Sequence, residues 1–143
     1  MKVAVYVDGS YRDGVATWAF AVFVDGVFKA HHSGVCQDRD SKAHHNVAGE
    51  IMAAGQAVYH CDKVGYTEIT IHYDYEGIEM WATNKWKANK FLTKWYKMLM
   101  KRYMEDMIIH FIHVKAHSGD ANNNMVDELA RNELETELKR RQG

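Results

Sequence analysis

Val3-Ala4-Val5-Tyr6-Val7-Asp8-Gly9-Ser10 decides how the rest of the chain is read. Val3, Val5 and Val7 alternate with Ala4 and Tyr6, the period-two pattern of a largely buried strand, and Asp8-Gly9-Ser10 closes it. A second stretch has the same ending: Glu68-Ile69-Thr70-Ile71-His72-Tyr73 runs into Asp74. If the two strands are adjacent and parallel, both carboxylates emerge at one edge of the sheet, where sites of α/β folds gather.

Working outward, Asp13-Gly14 and Asp25-Gly26 mark turns, the second flanked by Ala21-Val22-Phe23-Val24 and Val27-Phe28. An Asp-Gly pair between apolar runs is a strong hairpin signal, so three antiparallel strands are expected near 2–8, 16–24 and 27–35. Residues 37–45 read as a polar loop. Val47, Ile51, Ala54 and Val58 then recur at helical spacing, with Asn46 as N-cap and Glu50 beside the apolar stripe. After the 68–73 strand come a short helix at 75–84, a longer one at 90–104, a strand at 108–114 and a helix at about 122–140. In that last helix Val126, Leu129, Ala130 and Leu134 face the core. Asp127 is expected in its first turn, where the helix dipole favours an anion.

Asp8, Glu50, Asp74 and Asp127 therefore sit at strand ends and on core-facing helices, positions that tend to converge. Four carboxylates side by side cannot all stay ionised without cations between them. The pattern points to a metal-dependent hydrolase.

Composition narrows the class. With 143 residues, 47% hydrophobic and 26% charged, one globular domain spanning 1–143 with a single core is expected. A formal net charge of −1 excludes indiscriminate coating of a polyanion, so any nucleic-acid affinity must be local. The apolar run before Asp8 is too short for a signal peptide and no run is long enough to span a bilayer, so a cytoplasmic location without membrane association is expected. Cys36 and Cys61 stand far apart without zinc-type spacing and read as free thiols.

A local basic surface is present. Residues 80–104 hold Lys85, Lys87, Lys90, Lys94, Lys97, Lys101 and Arg102 and no acid, interleaved with Trp81, Trp86, Phe91, Trp95, Tyr96 and Tyr103. Lys90, Lys94, Lys97 and Lys101 share one helical face, with Leu92, Tyr96, Leu99 and Tyr103 opposite. Such a stripe is usually a solvated face. Its freedom from acids favours contact with a phosphate backbone.

Asp8-Gly9-Ser10, Asn46-Val47-Ala48-Gly49-Glu50, Asp74, and His117-Ser118-Gly119 followed by Asp127-Glu128-Leu129-Ala130 resemble, in order and spacing, the type 1 ribonuclease H family. The resemblance covers essentially the whole chain. It implies a ribonuclease H-like α/β fold: a five-stranded mixed sheet, three antiparallel strands then two parallel, flanked by helices in the order βββαβααβα. It implies endonucleolytic hydrolysis of the RNA strand of RNA–DNA hybrids, leaving 5′-phosphate and 3′-hydroxyl ends. Two Mg2+ ions per site would serve, with Mn2+ able to substitute, and the partner is the hybrid duplex. A monomer is expected and no protein partner is implied.

By the same resemblance, Asp8 bridges both ions, Asp74 and Asp127 hold the one that positions water, and Glu50 holds the one at the departing oxygen. His117, in the His-Ser-Gly loop, shuttles a proton or aids product release. Asn46 probes the 2′-hydroxyl, a role that competes with helix capping. Gly9 and Ser10 add backbone contacts, and Trp81 and Asn84 flank the DNA strand. The other eight histidines read as surface or strand residues, with His45 near substrate. This chain departs from the family in the short loop after Ser10, in Ala43 and His45 where many members carry arginine and threonine, and in lacking a separate basic protrusion; Lys85, Lys87 and Lys90 substitute for it. Two other readings remain: a DNA-processing enzyme of the same fold, such as an integrase or resolvase, and a non-catalytic hybrid-binding module.

Overall fold

The computed structural model describes residues 1–115 and 119–143. Its elements run β1 (Val3–Arg12), β2 (Val15–Val24), β3 (Val27–Val35), α1 (Asp38–His44), α2 (Asn46–Val64), β4 (Glu68–Tyr73), α3 (Gly77–Ala82), α4 (Phe91–Tyr103), β5 (Ile108–His113) and α5 (Ala121–Gln142). The five strands form one sheet in the order β3-β2-β1-β4-β5. β1 pairs antiparallel with β2, and β2 with β3, across the two Asp-Gly turns, where Asp13 and Asp25 take positive φ. β4 and β5 add in parallel on the other side of β1. The mixed sheet expected from the sequence is present, with β1 at its centre.

Period two divides the core. Val3, Val5 and Val7 point toward α2 and pack with Ile51, Ala54 and Val58, while Tyr6 joins Ala19, Ala21 and Phe23 beneath Val126 and Ala130 of α5. α5 is fastened at its start and again midway along. The Asp120 carboxylate accepts from the amides of Asn122 and Asn123 at 2.9 and 3.1 Å, a side-chain N-cap. Further along, the buried Thr17 hydroxyl donates to the Ala130 carbonyl at 2.7 Å. On α4, Leu92, Tyr96 and Met100 are buried and Leu99 and Tyr103 half-buried, while Lys94 and Lys101 face solvent.

Four sequence expectations are corrected. β1 does not stop near residue 8 but pairs with β2 as far as Arg12. Residues 37–45 are not a loop, since Asp38–His44 form α1, giving the order βββααβααβα. That helix turns Asp40 and Ser41 inward rather than hydrophobes, and Arg39 covers the Phe91 ring at 3.7 Å, so it has no apolar periodicity to read. Asn46 is not the cap of α2: the cap position is His45, at φ 48°, with no side-chain hydrogen bond, and Asn46 is the first helical residue. Asp127 is not in the first turn of α5. The helix begins at Ala121, which leaves Asp127 nearly two turns inside and beyond most of the dipole's reach.

Candidate active site

β1 and β4 run parallel with Tyr6 opposite His72, so two residues further on Asp8 is level with Asp74. Asp8 lies on the α5 side by alternation with Tyr6. The helix that brings Glu50 comes from the other side, and it approaches very closely. A Cβ at Gly9 would lie 2.6 Å from the Glu50 amide nitrogen, and one at Gly49 would lie 2.0 Å from the Thr17 carbonyl oxygen. Only two glycines facing each other allow the start of α2 to rest on the β1 and β2 backbones. The Asp-Gly and Gly-Glu pairs in the sequence are thus parts of one contact.

Glu50 is buried at 5% exposure. Its Oε1 accepts from the Asp74 and Tyr75 amides at 2.8 and 2.9 Å, which locks the carboxylate against the end of β4. Burial pushes its pKa up to about 7 against the pull of those two amides, and the Asp74 charge adds to the rise. Asp8 is pushed up to about 8, chiefly by burial, with the Gly9 amide at 2.8 Å opposing and the Glu50 and Asp127 charges reinforcing. The Asp127 side chain lies near enough to Asp8 to favour its protonated form. Asp127 is 37% exposed and carries an ion pair to Arg131 one turn on, at 3.1 Å. Asp74 turns its side chain to solvent.

The four acids thus influence one another pairwise: Asp127 and Glu50 act on Asp8, and Asp74 acts on Glu50. Among the described residues no group of three His, Cys, Asp or Glu is close enough to form a ready cation shell. The donor set is nonetheless all oxygen and rich in negative charge, countered by backbone amides at Asp8 and Glu50, by Arg131 at Asp127 and by the raised pKa values of Asp8 and Glu50. That chemistry fits a hard divalent cation, whose remaining positions water and phosphate oxygens fill.

Gly9 and Ser10 continue β1 past Asp8, and Asn46 is exposed at the start of α2. His117 lies outside the described residues. Trp81 is not free for a ligand. It is buried, donates its indole N–H to the Lys87 carbonyl at 3.2 Å, and meets Trp86 edge-on at 5.5 Å and Tyr75 at 5.9 Å. This aromatic knot shapes the segment that carries Asn84, Lys85, Lys87 and Lys90, all exposed, with Asn84 at φ 64°. Lys97 donates to the Trp86 carbonyl at 2.8 Å and braces the same segment from α4. Two adjoining clefts, of about 540 and 450 Å3, run along α4 and share Lys97 and Lys101.

Sequence reasoning missed three contributors. The Asp74 and Tyr75 amides give no residue-type signal. Arg131 is visible only as an i, i+4 partner of Asp127. His113, read as a strand histidine, places its Nε2 2.7 Å from the Asp74 carbonyl oxygen.

A model of the RNase H family matches residues 1–135. A ribonuclease H of Legionella pneumophila (strain Corby) is 28% identical over 141 residues, covering 91% of this chain and 94% of the relative. RNase H1 of Halobacterium salinarum NRC-1 superposes with a TM-score of 0.73 at 20% identity, over 95% of this chain and 99% of that one. LC11-RNase H1, solved in complex with an RNA/DNA hybrid, superposes at 0.78 and 18% identity, over 96% and 99%. The sheet order, the acids grouped around the end of β1 and a family match spanning nearly the whole length agree: the chain belongs to the ribonuclease H family.

Proposed function

We propose that this protein is a metal-dependent endonuclease that cleaves the RNA strand of RNA–DNA hybrids, leaving 5′-phosphate and 3′-hydroxyl ends. The observation that carries the reading is the grouping of acids at the end of β1: Asp8 feels the charges of Glu50 and Asp127, Glu50 is bonded to the Asp74 amide, and Asp74 is level with Asp8 on the next strand. Family membership and the hybrid-bound LC11-RNase H1 support the choice of substrate.

Asp8, Glu50, Asp74 and Asp127 would be the residues that hold two Mg2+ ions. Bound there, the ions supply Lewis-acid charge at the phosphate and a water of lowered pKa. The chain's own contributions are orientation and charge. Glu50 has one oxygen committed to two backbone amides, so its other oxygen has a fixed direction. Burial inclines Asp8 to hold a proton, which a cation at the site would displace. Arg131 holds one Asp127 oxygen in an ion pair and so orients that carboxylate on α5. His117, by its place in the His-Ser-Gly motif, acts as a proton shuttle. Asn46, Gly9 and Ser10 meet the RNA strand beside the acids, and Asn84, Lys85, Lys87 and Lys90 meet the DNA strand. Trp81 acts from beneath by holding their segment in shape.

The experiment is cleavage of a labelled hybrid with and without Mg2+, beside single-stranded RNA, duplex DNA and branched DNA. Hybrid-specific, Mg2+-dependent cleavage that vanishes in Asp8→Asn and Asp74→Asn is expected. Equal cleavage of duplex or branched DNA would reassign the chain to DNA processing, and tight hybrid binding without product would make it a binding module.

A further inference from the structure

The last backbone rung between β4 and β5 is the Val114 amide donating to the Tyr73 carbonyl at 2.6 Å. One residue further, a side chain takes the donor's place: His113 Nε2 lies 2.7 Å from the Asp74 carbonyl oxygen. A carbonyl oxygen only accepts, so this nitrogen carries the hydrogen and the tautomer is fixed by the contact. That carbonyl and the Tyr75 N–H belong to the same peptide unit, and the Tyr75 N–H donates to Glu50 Oε1 at 2.9 Å. One planar group is therefore gripped at its oxygen end by His113 and at its nitrogen end by Glu50. The preceding amide, Asp74 N–H, reaches the same Glu50 oxygen at 2.8 Å. The Tyr73 ring packs edge-on against the imidazole, centroids 5.4 Å apart, and steadies it.

We propose that His113 is a positioning residue for the acid site: through the Asp74–Tyr75 peptide plane it fixes the direction of the Glu50 carboxylate and the backbone from which Asp74 projects. The inference rests on the reading of Glu50 and Asp74 as ligands. Donation to the carbonyl polarises the peptide and strengthens the N–H that Glu50 accepts, and rotation of the plane breaks both bonds together. Loss of the imidazole N–H leaves the plane anchored at one end only, so Glu50 samples orientations that do not serve the cation. Outer-shell partners of metal ligands commonly matter by about 10-fold or more in affinity or activity.

The test uses His113→Phe, which keeps a flat ring against Tyr73 but has no donor, and His113→Gln, which retains an N–H donor. Hydrogen exchange of the Tyr75 amide is followed in the metal-free protein, and kcat, KM and Mg2+ half-saturation are measured on hybrid. His113→Phe is expected to exchange at Tyr75 about 10-fold faster, to lower kcat about 10-fold at nearly constant KM and to raise the Mg2+ requirement, with His113→Gln recovering most of each. Unchanged exchange and kcat in His113→Phe, or equal losses in both variants, would overturn the proposal. A wild-type protein that exchanges slowly at Tyr75 but leaves the hybrid intact would instead refute the nuclease reading, while the exchange comparison still decides whether His113 grips the peptide.

Discussion

Asp8 is the residue on which charge and function meet. Its carboxyl keeps a proton up to about pH 8 in the folded protein, against an ordinary value of 3.8. Between those values the folded state binds more protons than the unfolded one, so stability of the metal-free protein falls as pH rises through the window and levels off above about 8. Glu50, raised to about 7, acts in the same direction. Asp8→Asn is therefore expected to abolish cleavage yet stabilise the metal-free protein by about 2 kcal/mol at pH 8, with little gain at pH 4. Urea melts at the two pH values check this. Equal effects at both would mean that Asp8 ionises without strain. The four candidate acids could be picked out in the sequence because strand ends and helix stripes are written in residue type. It did not reveal what orients them, since backbone amides at Asp74 and Tyr75 and the reach of His113 depend on which strands lie side by side.

Among the elements, α2 does most to build the site, and its seating depends on the absence of two side chains. Gly49→Ala would drive a methyl group to within 2.0 Å of the Thr17 carbonyl, a backbone atom that has no rotamer to yield. The expected cost is about 2–3 kcal/mol in denaturant unfolding, with a drop in hybrid cleavage because Glu50 is the next residue. Full stability would mean that α2 can lift from the sheet without loss. Strands and long helices were legible in the sequence because β1, β2, β4 and α5 carry clear apolar periods. α1 was not legible, since its inward residues are Asp40 and Ser41 and its outward Arg39 covers Phe91. The cap of α2 was misplaced for a related reason: the turn between α1 and α2 relies on His45 in a left-handed conformation, stacked on Tyr11 at 5.3 Å, rather than on an Asn cap.

For the molecule as a whole, hybrid binding is expected to weaken steeply with salt. Lys85, Lys87 and Lys90 replaced together by alanine in an Asp8→Asn background should flatten the plot of log affinity against log salt by about 0.9 for each lysine that meets a phosphate. Fluorescence anisotropy over a salt series measures the slope, and an unchanged slope would exclude these lysines from the interface. Residues 80–104 carry seven cations and no acid, leaving eleven cations against nineteen acids in the remainder. A nearly neutral protein with an acid-free group of cations on α4 and the segment before it behaves as a compass needle in the field of a polyanion. It swings its lysine side forward before touching, so collisions arrive already aligned, and added electrolyte slows arrival before it hastens departure.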